Sequence, residues 1–203
     1  MVSPLLSWFA GNARKLPWRD DPTAYHVWVS EIMLQQTRVE AVKPFYARFI
    51  GALPDVKALA GCPEDQLLKL WEGLGYYNRV RNMQKAAQIA VESYDGEMPA
   101  DYGTLLSLPG IGSYTAGAVA SIAGGQAVPA VDGNVLRVIS RICGSEADIA
   151  KQSVKREMEE TLLGVIPADA PGAFNQALME LGATVCLPNG APECSRCPAS
   201  HLC

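Results

Sequence analysis

The stretch LLSLPGIGSYTAGAVASIAGGQAVPAVDGNV, residues 105–135, determines how the rest of the chain is interpreted. A tight glycine turn, Leu108-Pro109-Gly110-Ile111-Gly112, separates two apolar helical runs, and Asp132 opens a third. Glycine permits a sharp turn and leaves backbone N–H groups bare at the start of the next helix, where an anion such as phosphate can bind. An ordinary helix–helix turn has the same composition, so both interpretations stay open at this point.

Asp132 precedes Gly133-Asn134 and a periodic apolar run that begins at Val135. A carboxylate at this position lies in the positive end of a helix dipole and is expected to remain ionised. Aspartate before a helix is also a common N-cap, which is the alternative to a functional role.

The composition is that of an ordinary globular protein, with 203 residues, 49% of them hydrophobic, and a formal net charge of -4. No apolar run reaches the length of a membrane span, and the N-terminus lacks the pattern of a secretory signal. We therefore expect a cytoplasmic protein without a membrane partner. The negative net charge argues mildly against tight non-specific electrostatic binding of nucleic acid. Any DNA contact must therefore come from local features of the surface.

The periodicity predicts an all-α protein, because apolar residues recur at helical spacing and no segment shows sustained alternation. The strongest helical pattern runs from Tyr25 to about Ala41, and Pro44 is expected to begin the next helix.

Glu31 lies on the first of these predicted helices, one turn from Val27 and Leu34. In apolar surroundings the proton affinity of a carboxylate rises, which suits a general acid. The alternative is a solvated Glu31 that pairs with Gln35 or Arg38.

The segment Gly73-Leu74-Gly75-Tyr76-Tyr77-Asn78 predicts a flexible loop with adjacent aromatic side chains. Rings on such a loop can enter a base stack, as in proteins that insert wedges into DNA. They can equally anchor the loop to the protein core.

Four cysteines crowd into the last eighteen positions, with seven, two and five residues between successive members: Cys186, Cys194, Cys197 and Cys203. In a cytoplasmic protein this density indicates a metal site and not disulfides. Tetrathiolate sets hold either zinc or an iron–sulfur cluster. Zinc sites usually pair two short Cys-x-x-Cys knuckles, and only one is present, so the spacing leans to iron–sulfur.

Seven blocks of the sequence, in this order, resemble the helix-hairpin-helix DNA glycosylases, and within them the adenine DNA glycosylases of the MutY kind. The blocks are LPWR at 16–19, VWVSEIMLQQTRV at 27–39, LWEGLGYYNRVRN at 70–82, LPGIGSYTAGA at 108–118, VDGNVLRV at 131–138, FNQALMELGATVC at 174–186, and the cysteine tail. The resemblance covers essentially the whole chain and implies a base-excision-repair enzyme that acts on adenine mispaired with 8-oxoguanine or guanine.

The resemblance assigns catalytic roles to four residues. Glu31 would protonate the flipped adenine, and Asp132 would stabilise the oxocarbenium-like sugar, with Asn134 as the polar partner near Asp132 and the catalytic water. Tyr114 stands where bifunctional relatives have a Schiff-base lysine. Because a phenol cannot form an imine, the resemblance implies a monofunctional glycosylase with little strand cleavage.

The resemblance also implies how DNA is held, since the target base must leave the duplex to be processed. The expected partner is double-stranded DNA with a mismatched adenine, bound by a monomer. The side chains around the extruded adenine would be Trp18, Arg19, Leu34 and Gln176; those that fill or wedge the stack would be Gln36, Leu74 and Tyr76. Gly110 and Gly112 would form the hairpin that holds a backbone phosphate, often with a monovalent cation.

By the same resemblance the four tail cysteines would hold a [4Fe–4S] cluster that supports a DNA-binding loop. The family usually has six residues between the first two cysteines, and this chain has seven, which an Asn-Gly turn at 189–190 can absorb. The chain also ends at Cys203, whereas full-length family members carry a further domain that recognises 8-oxoguanine, so this domain is expected to be absent here.

The implied fold has two lobes with the DNA groove between them. A six-helix barrel lobe with the helix-hairpin-helix is expected at residues 22–126, and an iron–sulfur cluster lobe at residues 1–21 plus 127–203. The alternatives to adenine excision are a thymine-mismatch or oxidised-pyrimidine glycosylase on the same scaffold, and a non-catalytic iron–sulfur DNA-binding module.

Overall fold

The computed structural model describes residues 1–203 and contains eleven α-helices and no β-strand, which confirms the all-α prediction. The helices are α1 (Val2–Asn12), α2 (Ala24–Leu34), α3 (Val39–Ala52), α4 (Val56–Gly61), α5 (Glu64–Trp71), α6 (Asn78–Ser93), α7 (Tyr102–Leu106), α8 (Ser113–Ile122), α9 (Gly133–Cys143), α10 (Gln152–Leu163) and α11 (Pro171–Thr184). Short 3-10 turns cover Pro17–Arg19, Cys194–Arg196 and Ser200–Leu202. None of the helices combines the length and the apolar character needed to cross a membrane.

The chain divides into two compact units. The contiguous unit is Lys15–Gly124, and the discontinuous unit joins Met1–Arg14 to Gly125–Cys203. The family resemblance implied a division at residues 22 and 126; in the structure the segment 15–21 groups with the helices α2–α8 and not with α1.

Helix α2 is the central element of the contiguous unit and is buried on almost all sides. It packs against α8, whose buried residues are mostly small, including Ala116, Gly117 and Ala118. Small side chains let the two backbones approach closely, and larger ones such as Trp28 and Trp71 fill the remaining volume of the core. A helix buried all round supplies an apolar environment for any polar group it carries.

The core of the discontinuous unit forms where α1 and α9 pack against α11 and α10 packs against α9. Helix α9 is strongly amphipathic, with Val135, Val138 and Ile139 buried. Asp132 caps its N-terminus, and Gly144 ends it with a left-handed φ of 60°.

An ion pair attaches the segment after α1 to α11. Glu180 on α11 is 1% exposed and accepts hydrogen bonds from Nε, Nη2 and the backbone N–H of Arg14, at 2.6, 3.1 and 3.1 Å. The two parallel side-chain bonds have the bidentate geometry of a strong arginine–carboxylate pair.

The predicted helix from Tyr25 to about Ala41 is wrong in its second half. Helix α2 ends at Leu34, Gln36 adopts a left-handed φ of 60°, and α3 begins at Val39. Pro44 lies inside α3 and does not begin a helix. The break has a physical cause in the tertiary structure, because the last carbonyls of α2 are bound by the side chain of Arg79 from α6.

Candidate active site

Glu31 is a buried carboxylate on α2, with 7% of its surface exposed. The hydroxyl of Tyr114, on α8, donates a short hydrogen bond to Oε2 of Glu31. The close packing of α2 on α8 brings these two residues together although 83 positions separate them. The site therefore presents a carboxyl group in apolar surroundings with a phenol as a fixed partner, an arrangement that can hold and transfer a proton.

The glycine turn connects α7 to α8 within the same unit. Gly110 has a φ of 79°, and a Cβ at this position would lie 2.8 Å from Cβ of Asn82, so both conformation and space require glycine. Gly112 is the N-cap of α8, and a Cβ there would meet nothing within 4 Å. The N-terminus of α8 is thus open on the side of Gly112, where a backbone phosphate can approach the helix dipole.

The residues expected to enter the base stack lie on two neighbouring segments. Gln36 is exposed and follows α2, and Tyr76 is 68% exposed in the loop before α6. Leu74 is buried beside it. Both segments contact the guanidinium of Arg79, a residue to which the sequence analysis gave no role.

Trp18 and Arg19 belong to the 3-10 turn that precedes α2. Trp18 is buried and packs edge-on against Tyr46, with ring centroids 5.4 Å apart. Arg19 ends the turn and is half-exposed, as is Leu34 at the end of α2. The fourth residue expected around the adenine, Gln176, is half-buried on α11 of the discontinuous unit.

Asp132 holds its carboxylate with two donors at the start of α9. Oδ1 accepts from the backbone N–H of Val135 at 2.8 Å, and Oδ2 accepts from Nδ2 of Asn134 at 2.7 Å. Both the helix dipole and these donors stabilise a negative charge. The structure brings Asp132 and Asn134 together, and Asp132 is both an N-cap and an anion held in one orientation.

Arg137 continues this chain of hydrogen bonds and was missed by the sequence analysis. Its Nη2 donates to Oδ1 of Asn134 at 2.9 Å and to the carbonyl of Gly182 at 2.8 Å, and its Nε donates to the carbonyl of Cys186 at 2.9 Å. Burial lowers the pKa of Arg137. The only signal in the sequence was its position one turn after Asn134, on the same face of α9.

The four tail cysteines line a single cavity of about 390 Å³ together with apolar residues of α9 and α11. No group of three or more His, Cys, Asp or Glu side chains gathers closely enough to hold a single metal ion. Nη1 of Arg141 donates to Sγ of Cys186 at 3.2 Å. Burial raises the pKa of the Cys197 thiol, and a hydrogen bond from the Ala199 backbone opposes part of this rise.

A family model for HhH-GPD superfamily base excision DNA repair proteins matches residues 29–162. This range includes Glu31, the glycine turn, Tyr114 and Asp132. Among curated proteins, the adenine DNA glycosylase of Mus musculus is 46% identical over 99% of this chain, and that of Mycolicibacterium smegmatis is 42% identical over 98% of the chain. The chain therefore belongs to the HhH-GPD superfamily and, within it, to the family of the adenine DNA glycosylases.

The match covers 41% of the mouse protein and 68% of the mycobacterial one, so the chain spans about two fifths of the length of the mammalian relative. Among solved structures, a thermostable thymine-DNA glycosylase superimposes with a TM-score of 0.88 at 29% identity, over 100% of this chain and 93% of that one.

Proposed function

We propose that this protein is a DNA glycosylase that removes adenine mispaired with 8-oxoguanine or guanine. The observation that carries the proposal is the buried carboxylate of Glu31 with the phenol of Tyr114 as its partner. Relatives named adenine DNA glycosylase, at 42–46% identity over nearly the whole chain, support the choice of base.

In the proposed reaction two carboxylates have separate roles. Glu31 protonates the extruded adenine, which makes the base a better leaving group, and Asp132 stabilises the positive charge that develops on the sugar. The fixed donors to Asp132 support this role because they hold its carboxylate in one orientation before the charge develops. Asn134 orients Asp132 and the attacking water.

The enzyme is proposed to be monofunctional. A bifunctional glycosylase attacks the sugar with an amine and forms an imine that leads to strand cleavage. Tyr114 occupies the position of that amine in the family pattern, and its hydroxyl is engaged with Glu31. The expected product is an intact strand with an abasic site.

DNA binding is proposed to combine base flipping with a hold on the backbone. Trp18, Arg19, Leu34 and Gln176 would surround the adenine; Gln36, Leu74 and Tyr76 would fill or wedge the stack. The open N-terminus of α8 at Gly112 would hold a phosphate, with a monovalent cation at the hairpin. The same proposal includes two lobes: a barrel lobe at residues 22–126 and a cluster lobe at residues 1–21 plus 127–203.

The tail is proposed to hold a [4Fe–4S] cluster on Cys186, Cys194, Cys197 and Cys203. The fit rests on one observation: all four thiols line one cavity. Cysteine thiolates are the usual ligands of iron–sulfur clusters. The cluster would stabilise the fold of the tail and is not given a redox role in base removal.

The test compares two duplexes, one with adenine opposite 8-oxoguanine and one with thymine opposite guanine. After incubation, alkali cleaves the strand wherever a base has been lost. We expect cleavage of the adenine strand only, no cleavage without alkali, and no protein–DNA adduct after borohydride treatment. Excision confined to the thymine strand would support the second candidate, a thymine-mismatch glycosylase, which the similarity to the thymine-DNA glycosylase structure favours.

Glu31→Gln separates catalysis from binding in the same assay. The amide cannot donate the required proton, so we expect excision to fall at least about 100-fold while affinity for the mismatched duplex is retained. Glu72→Gln, an exposed carboxylate at the end of α5, is the matched control. Wild-type protein that binds the duplex and excises no base would instead indicate a non-catalytic DNA-binding module.

A further inference from the structure

The guanidinium of Arg79 is bound by four backbone carbonyls. Nη1 donates to the carbonyls of Ile32 at 2.8 Å and Gln35 at 2.7 Å, and Nη2 donates to those of Leu74 at 2.9 Å and Gly75 at 3.3 Å. These bonds use all four N–H groups of the two terminal nitrogens. One side chain from α6 thus joins the end of α2 to the loop that precedes α6.

Two of the four carbonyls belong to the peptide units just before strained residues. Gln36 and Tyr76 have φ values of 60° and 48°, and only Asp95 shares this left-handed conformation among the residues other than glycine. Such a backbone is unfavourable for a side chain with a Cβ and persists when its surroundings hold it. Arg79 binds the carbonyl of Gln35 and the carbonyl of Gly75, so it fixes both peptide planes.

The surroundings of Arg79 suit a cation that must hold several carbonyls at once. The carbonyls of Ile32 and Gln35 form the negative end of the α2 dipole, and the guanidinium lies 5.4 Å from the centre of the Trp71 ring and 5.6 Å from that of Tyr76. A lysine ammonium has a single nitrogen and cannot span four carbonyls in this geometry.

We propose that Arg79 is a positioning residue that holds Gln36 and Tyr76 in register for insertion beside the mismatched base pair. The inference rests on the proposed function, because it takes these two exposed side chains as the ones that enter the DNA. The terminal N–H groups of Arg79 are all taken up by backbone carbonyls of the protein. Its role is to fix the spacing and direction of two side chains that belong to different segments.

The first test measures binding and chemistry separately for Arg79→Lys. The probe is a duplex with a non-cleavable 2′-fluoro-deoxyadenosine opposite 8-oxoguanine, compared with a fully paired duplex of the same sequence. We expect the preference for the mismatched duplex to fall about tenfold, the effect of losing one stacked contact, while the single-turnover excision rate at saturating protein changes less than about threefold. Arg81→Lys, on the same helix but paired with Glu64 at the surface, is the matched control and should leave both values unchanged.

A double-mutant cycle with Tyr76→Ala tests whether Arg79 acts through the loop. Once the Tyr76 ring is absent, Arg79→Lys should cost clearly less affinity than it does in the wild-type background. Additive effects, or a loss of affinity equal for mismatched and paired duplexes, would overturn the inference and leave Arg79 a purely structural residue.

Hydrogen exchange gives a reading that needs no catalysis. In the free protein, Arg79→Lys should raise exchange together at residues 35–38 and 73–77, while α4 stays protected. Should the variant not fold, wild-type protein must show both segments gaining protection together when it binds the mismatched duplex. Faster exchange in both segments without adenine excision by the wild type would refute the proposed function and keep the positioning role of Arg79. Unchanged exchange would refute that positioning role alone.

Discussion

Glu31 and Asp132 obtain their environments in different ways. Glu31 is buried within α2 and is held by a side chain from another helix, whereas Asp132 is half-exposed and is held by the first turn of its own helix. The second arrangement is local and can be read from the order Asp-Gly-Asn at a helix start. The first depends on the tertiary packing of α2 on α8, so the sequence permitted a buried Glu31 without establishing it.

Asp132→Asn tests whether the charge at the α9 N-terminus is needed beyond capping. The amide oxygen can still accept from the Val135 N–H and cap the helix, but the amide nitrogen cannot replace Oδ2 as acceptor for Asn134, so we expect the free energy of unfolding to fall by about 1 kcal/mol. The positive charge on the sugar loses its counter-charge, and single-turnover excision should fall at least about 100-fold. Chemical denaturation and excision assays on the same preparation measure the two effects.

Asp55→Asn is the matched control, because Asp55 caps α4 in the same way and accepts from the Ala58 N–H at 2.8 Å. The free energy of unfolding and the excision rate of Asp55→Asn should both stay close to the wild-type values. Equal losses of activity in both variants, or full activity in Asp132→Asn, would contradict the assigned role.

At the scale of the elements, local sequence patterns predicted helices and failed where tertiary contacts set a boundary. The helical run predicted after Asp132 agrees with α9 because local periodicity and capping define it. The predicted helix to Ala41 was too long, since the break at Gln36 is fixed by Arg79, more than forty positions away. No local pattern in the residues 35–38 encodes that contact.

Gln36→Gly tests the strain at this break. The left-handed conformation costs a non-glycine residue about 1–2 kcal/mol, which glycine avoids. Glycine also raises the conformational entropy of the unfolded chain, and this offsets part of the stabilisation. We expect the free energy of unfolding to rise by about 0.5 kcal/mol, while affinity for the mismatched duplex falls about tenfold through loss of the side chain. Thermal or chemical unfolding and equilibrium binding measure the two changes.

Asp95→Gly provides the comparison, because Asp95 is exposed and has a φ of 56° in the turn after α6. Its stability should rise by a smaller amount, since aspartate tolerates this conformation better than glutamine, and its DNA affinity should not change. A lower free energy of unfolding in Gln36→Gly would show that the backbone at Gln36 is not strained.

On the scale of the whole molecule, the proposed cluster would order the tail. Residues 186–203 contain only two short 3-10 turns, and the cysteine cavity is bounded on its other side by α9 and α11. A short segment with little regular structure gains most of its order from ligand bonds. The density of cysteines in the sequence indicated a metal site, but the sequence could not show that all four cysteines face one cavity.

Removal of iron by a chelator tests this dependence. Protein purified without oxygen should be brown, with broad absorbance near roughly 400 nm. Loss of that colour should raise hydrogen exchange in residues 186–203 and in the adjoining ends of α9 and α11, and leave Lys15–Gly124 unchanged. Cys197→Ser should bind little iron, whereas Cys143→Ser, an exposed cysteine outside the cavity, should bind as much as the wild type. A colourless protein that contains zinc would exclude the cluster.

The division of the chain into units also has a consequence for synthesis on the ribosome. The contiguous unit, Lys15–Gly124, is complete as soon as its last residue has emerged, and it can form its core while translation continues. Helix α1 is made before the contiguous unit and its packing partner α11 after it, and Arg14 and Glu180 are 166 positions apart. Until α11 has emerged, the apolar face of α1 lacks the surface that covers it in the folded protein, so the nascent chain exposes an apolar helix that chaperones can bind.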